Sequence, residues 1–305
     1  MMQKLPLLVV LLVSILGYSQ EFIPIWPVGN MPNSKGMKLQ HIEERERITQ
    51  VATPGIYAFY PAPEEANGAA VLICPGGGYH HLTYNLGGFQ LAKWLNTQGI
   101  AAFVLIYRLP TSPDLKDRIL APVQDAQRAM QLIRFNAEKW NIDTNKLGIM
   151  GTSAGGHLAS ILGTHTENVT HINDTISTLP FKPDYMLLVS PVISMESETH
   201  KGSVENLLGK NANDTLKHRY STYFQVTEDT PPTFLAHAEN DPAVPVSNSL
   251  RFYMAMVAHN VPSTLHVFPT GEHAIGTYNA SELTNQWKQL CILWLKEIRI
   301  ITKKN

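Results

Sequence analysis

Cysteine, net charge and long apolar runs are what this chain has least of. Of 305 residues only Cys74 and Cys291 are cysteines, too few for a disulfide-stapled scaffold or a cysteine-held metal cluster. One ends an apolar strand and the other falls on the apolar face of the last helix, so both read as buried thiols, with a bridge between them left open for an exported chain. Lys and Arg number 24 against 25 Asp and Glu, scattered without a basic stripe or a basic amphipathic helix, which argues against nucleic acid and membrane surfaces as partners. No G-x-x-x-x-G-K-[ST] or helix-opening G-x-G-x-x-G marks a nucleotide site, and no H-E-x-x-H or Cys/His pair at ligand spacing marks a metal. No cofactor is expected. The partner left is a small-molecule or oligosaccharide substrate.

The one marked apolar run, Leu5 to Leu16, is shorter than the ~20 residues of a spanning helix. It follows a single basic residue, Lys4, and precedes Gly17-Tyr-Ser-Gln20, the pattern of a secretory signal. Residues 1–20 are therefore expected to be removed, leaving residues 21–305 secreted or periplasmic without stable membrane insertion. No Gly/Ser-rich or charged linker divides that remainder, so it reads as a single domain.

What is present is an alternation of buried strands and helices. Residues 38–60 alternate in the manner of a leading antiparallel β pair at a sheet edge. The continuous apolar run at 69–74 reads as a strand covered on both faces, 100–107 and 185–190 as further buried strands, and 146–150 and 233–238 as strands, with a last strand over 263–268. Helices are expected over 88–97, along the apolar stripe Val123, Ala126, Met130, Ile133, Ala137 and Trp140, over 246–258, and at the end through Trp287, Cys291, Trp294 and Ile298. The fold class is α/β, a mostly parallel, doubly wound sheet flanked by helices, whose ligands lie outside the carboxyl ends of the strands. Residues 191–229 are polar and irregular and read as a small lid or cap insertion.

Gly151-Thr-Ser153-Ala-Gly155 sits between a strand and a helix. A turn that sharp needs nearly bare flanking positions for the serine hydroxyl to project from the sheet, so Ser153 reads as a nucleophile. A serine hydroxyl needs a base, and the base a carboxylate to fix its tautomer. His273, in a loop after the strand ending at Phe268, is the base; His80, His81, His157, His237 and His266 read as structural or substrate-facing. Asp241, just past Ala238, is the acid, with Glu239, Asp229 and Glu272 as alternatives. Pro75-Gly76-Gly77-Gly78-Tyr79 follows its own strand, where backbone N–H groups of Gly77 and Gly78, with that of Ala154, can receive an oxyanion. Tyr79 and His80 are candidates for substrate contact, with Tyr84, Tyr107, Arg108 and Tyr223 as further wall residues.

Together the glycine run, the elbow, Asn240-Asp-Pro-Ala-Val-Pro245 and Gly271-Glu-His273 resemble the α/β-hydrolase superfamily, which uses the same order of serine, acid and histidine. Within it they resemble the exported small carbohydrate esterases, acetyl xylan and feruloyl, related to hormone-sensitive-lipase-like enzymes. Pro75 stands where the lipase-like subgroup has a histidine, and Thr152 where it has an acidic residue; both departures favour the carbohydrate-esterase side. The resemblance implies a serine carboxylesterase acting through Ser153, His273 and Asp241 on acetyl or feruloyl esters of plant polysaccharide. A serine exopeptidase of the prolyl-oligopeptidase type is the alternative enzyme, and a non-catalytic hydrolase-fold binding protein the alternative outside catalysis.

Overall fold

A computed structural model describes residues 20–275 and 281–301; residues 1–19 of the expected signal segment lie outside the described residues. The strands are β1 (Phe22–Pro24), β2 (Ile42–Glu44), β3 (Arg47–Gln50), β4 (Gly55–Phe59), β5 (Ala70–Cys74), β6 (Ala101–Ile106), β7 (Leu147–Thr152), β8 (Met186–Val189), β9 (Thr233–Ala238) and β10 (Ser263–Phe268). The helices are α1 (Gln90–Asn96), α2 (Leu120–Phe135), α3 (Ala154–Thr164), α4 (Lys201–Leu208), α5 (Asp214–Tyr220), α6 (Ser247–Ala258) and α7 (Glu282–Glu297).

Eight strands form one sheet in the order β1-β4-β6-β5-β7-β8-β9-β10. From β6 to β10 every pair is parallel, and only β4 on β6 and β1 on β4 run antiparallel. Strands β5 to β9 are buried throughout because both faces are covered: Leu72, Phe103 and Ile149 point into one core, Ile73, Val104 and Met150 into the other. Helices α2, α3 and α6 cover the first face through Met130, Leu158 and Phe252, while α1 and α7 cover the second through Leu95 and Trp287. Cys74 and Cys291 are free, buried thiols in these two opposite cores, so the sheet stands between them.

Three local readings are corrected. The expected β pair of residues 38–60 divides: β2 and β3 form a separate two-stranded hairpin, and β4 enters the main sheet. The true edge is β1, a strand of 3 residues ending in Pro24, too short for alternation to register. The expected helix over 88–97 begins at Gln90, after a wider turn in which Phe89 N–H reaches Tyr84 O; the Gly87-Gly88 pair weakens ordinary helix there. Residues 191–229, expected to be irregular, contain α4 and α5, capped by His200 and Asn213. No helix among the described residues is long and apolar enough to cross a membrane.

Candidate active site

Four loops meet at the carboxyl ends of the parallel strands: Pro75–Tyr79 after β5, the elbow after β7, Asn240–Pro245 after β9 and Gly271–Ala274 after β10. At the elbow Ser153 adopts φ 58°, ψ −125°, a conformation that non-glycine residues hold only where surroundings over-determine it. They do so here by contact. A Cβ on Gly155 would come within 2.0 Å of Cys74 O, and one on Gly151 within 2.1 Å of Gly155 O. The chain can turn this tightly only with both positions bare, which is why the serine stands out from the sheet.

The structure brings Ser153, His273 and Asp241 together. His273 Nε2 lies 2.8 Å from Ser153 Oγ, and His273 Nδ1 lies 2.8 Å from Asp241 Oδ2. The carboxylate can only accept, so Nδ1 carries the proton and Nε2 is left to take one from the serine. Asp241 Oδ1 accepts from Ala243 N–H and Val244 N–H, each at 2.9 Å. The alternative acids Glu239, Asp229 and Glu272 are all exposed.

His237 completes the carboxylate's surroundings. Its ring is fully buried, with Nδ1 2.7 Å from Ser249 Oγ and Nε2 3.0 Å from Val244 O and 3.3 Å from Asp241 Oδ2. Both neighbours of Nε2 are acceptors, so Nε2 bears the proton and shares it between them. Burial acts to raise the Asp241 carboxyl, but hydrogen bonds from His237 and His273, the nearby His273 ring and Val244 N–H outweigh it and hold the group well below the usual carboxylate range. A histidine four residues before an acid at a strand end was the available signal; only the fold turns the two together.

The glycine loop is arranged with its carbonyls turned to other partners. Gly77 O accepts from His80 N–H and His81 N–H, Gly76 O from Thr83 N–H, and Gly78 O from Asn206 Nδ2 at 2.9 Å. Among the described residues no hydrogen bond takes up the N–H of Gly77, Gly78 or Ala154, the last being the first residue of α3, where no intrahelical partner exists. Gly77 has φ 131°, and a Cβ there would meet His81 O at 2.0 Å. Because Asn206 pins the loop from α4, Asn206→Ala should lower kcat about 10-fold with a smaller change in KM, since displacement of the donors costs rate more than binding. Steady-state kinetics on an acetyl ester checks this.

These groups border an open pocket of about 360 Å³, walled by His80, His81 and Thr83 on one side and His200, Asn206 and Ala243 on the other. Burial first, then Arg47 and His80, bring the half-buried His81 imidazole down to about 4. A groove of about 380 Å³ at the opposite ends of β5 and β6, between Tyr60 and Trp140, is lined by Glu21 and Lys139 but by no serine, cysteine or histidine. Among the described residues no cluster of His, Cys, Asp and Glu could hold a metal ion.

Of the expected wall residues His80 faces the pocket, and the others do not. Tyr79 is a correction: its φ of 58° turns it inward, it is wholly buried, and its hydroxyl donates to His157 Nδ1 at 2.8 Å. Tyr107 donates to Pro75 O, Arg108 is paired with Asp125 in the core, Tyr84 reaches Glu43, and Tyr223 packs against Arg251. His81, one of the histidines read as structural or substrate-facing, lines the pocket, and His200, Asn206 and Thr83 are wall residues the sequence reading does not name.

His157 ties the glycine loop to pH. Its Nε2–H donates to Tyr220 O at 2.7 Å while Nδ1 receives Tyr79, so only the neutral ring satisfies both. Burial, opposed by the Tyr220 bond and assisted by His165, pushes the His157 ring down to about 4 from its ordinary 6.5. The unfolded chain then takes the proton first. This contribution to stability is full above pH 6.5 and is lost as pH falls toward 4, on the order of 3 kcal/mol. Urea unfolding should show that decline, and His157→Gln should flatten it.

The BD-FAE family model matches residues 56–256. The chain is 38% identical over 241 residues to acetylxylan esterase of Xylanibacter ruminicola, covering 77% of this chain and 47% of that protein. It is 36% identical over 236 residues to endo-1,4-beta-xylanase B of Butyrivibrio fibrisolvens, covering 77% of this chain and 36% of that protein. It thus spans less than half the length of these curated relatives. Among solved structures, the acetyl ester-xyloside bifunctional hydrolase of Caldicellulosiruptor lactoaceticus superposes with TM-score 0.80 at 35% identity, covering 93% of this chain and 98% of that one.

Proposed function

The chain belongs to the BD-FAE family, with the α/β-hydrolase fold, and from that membership we propose that it is an exported serine carboxylesterase that removes acetyl groups from xylan-type sugars. The observation that carries the reading is the chain of 2.8 Å contacts from Ser153 Oγ through His273 to Asp241, beside backbone donors without partners. Relatives named for acetylxylan and acetyl ester-xyloside hydrolysis support the substrate class.

In the mechanism, Ser153 Oγ attacks the acetyl carbonyl carbon as His273 Nε2 takes the hydroxyl proton. The carbonyl oxygen, now negative, is received by the N–H groups of Gly77, Gly78 and Ala154, donors already fixed before the charge develops. Asp241 stabilises the imidazolium and holds its orientation. When the tetrahedral adduct collapses, the sugar oxygen leaves with the proton from Nε2, and an acetyl group remains on Ser153. Water, deprotonated by His273, attacks this ester, and acetate departs as the serine regains its proton.

The two alternatives lose support on particular grounds. A peptide amino terminus needs carboxylates to receive it, and none lines the described pocket wall. A non-catalytic binding protein has no use for a strained serine aligned on a histidine. The experiment that tests the reading compares acetate with ferulate release from acetylated and feruloylated xylo-oligosaccharides. Acetate release is expected; ferulate release alone would move the assignment to feruloyl esters, and release of neither would overturn it.

A further inference from the structure

His200 comes from the 191–229 segment into the same pocket as Ser153 and His273, yet the triad makes no use of it. Its Nδ1 accepts Ser203 N–H at 3.1 Å and lies 2.9 Å from Ser203 Oγ, capping α4. A backbone N–H can only donate, so Nδ1 holds a lone pair and the ring proton is on Nε2. Among the described residues nothing accepts that Nε2–H. The ring stands over the glycine loop: a Cβ on Gly78 would approach His200 Cε1 to 3.1 Å.

The side of the ester that His200 faces follows from the chemistry. With the carbonyl oxygen on the N–H groups of Gly77, Gly78 and Ala154, the leaving oxygen must lie within reach of His273 Nε2, which protonates it. His200 lines the same pocket as His273, close enough that charge on the His273 ring disfavours charge on His200. Burial first, and then His273, lower the His200 ring below its ordinary value, against an opposing pull from Asp241. The ring is therefore a neutral donor beside the departing alcohol, with no charge to compete for Asp241.

We propose that His200 Nε2–H binds an oxygen of the alcohol half of the ester, a sugar hydroxyl or ring oxygen, and that the 191–229 segment thereby sets the preference for sugar acetates over simple acetates. This rests on the deacetylase reading above. The segment has two tasks in this arrangement: Asn206 holds the glycine loop, and His200 reads the leaving group.

The test compares kcat/KM on acetylated xylo-oligosaccharides with kcat/KM on p-nitrophenyl acetate, whose leaving group carries no hydroxyls, for the wild type, His200→Asn and His200→Ala. Asparagine caps a helix well but is too short to present a donor in the pocket, so His200→Asn separates substrate contact from support of α4. The ratio of the two kcat/KM values should fall about tenfold in His200→Asn, mostly through KM on the oligosaccharide, and by a similar factor in His200→Ala. A ratio unchanged in His200→Asn, whether or not both activities drop, would overturn the proposal and leave the ring a structural cap. If the wild type cleaves p-nitrophenyl acetate but releases no acetate from the oligosaccharide, the carbohydrate reading fails, and this inference fails with it. A tenfold change in ratio on a working wild type supports both.

Discussion

Ser153→Ala is expected to lower kcat on p-nitrophenyl acetate by about 10⁴-fold or more while leaving KM within a few-fold. Among the described residues nothing nearby can replace the hydroxyl. Thr83 Oγ1 donates to Gly76 O, and the Thr152 hydroxyl is buried without a partner, so neither meets a base. The backbone at position 153 keeps its φ of 58° with either residue, because the bare Gly151 and Gly155 and not the side chain permit the turn. A folded variant, judged by an unchanged thermal transition, that kept wild-type turnover would place the nucleophile elsewhere.

Asp241→Asn is expected to cost about 10⁴-fold in kcat with little change in fold. The orientation of the new amide is dictated by its neighbours. Ala243 N–H and Val244 N–H both point at Oδ1 and require an oxygen there, so the amide nitrogen must take the place of Oδ2. It then faces two donors, His273 Nδ1–H and His237 Nε2–H. His273 can meet it only by moving its proton to Nε2, which can no longer accept from Ser153. Kinetics across the pH range, with a crystal structure or NMR assignment of the His273 tautomer, checks this; an activity loss below tenfold would show that another carboxylate orients the base.

Much of this architecture is legible in the sequence because the informative segments are locally constrained. Strands covered on both faces must be largely apolar, so β5, β6 and β8 stand out as unbroken runs. A serine between two obligatory glycines, preceded by such a strand, has little else to be, and the acid and histidine follow their own strands in sequence order. The parts that stayed hidden depend on distance. His200 and Asn206 lie on or beside α4, a helix of only 8 residues, with no periodicity to announce it, and their position over Gly78 arises only when the segment packs back on the loop after β5. A tyrosine after three glycines suggests an exposed ring, whereas the positive φ of Tyr79 carries it down to His157. His237 read as a strand residue, and so it is; its contact with Asp241 requires the tight turn after Ala238, where Asp241 N–H returns to Ala238 O.

The central claim is that Ser153 is the single nucleophile, activated by His273. The most direct measurement is the intact mass of the protein after brief exposure to a fluorophosphonate at neutral pH, followed by peptide mapping. One adduct per chain is expected, carried on Ser153, with labelling abolished in Ser153→Ala and strongly slowed in His273→Ala. A protein that hydrolyses acetyl esters yet stays unlabelled, or carries the adduct on another residue, would contradict it.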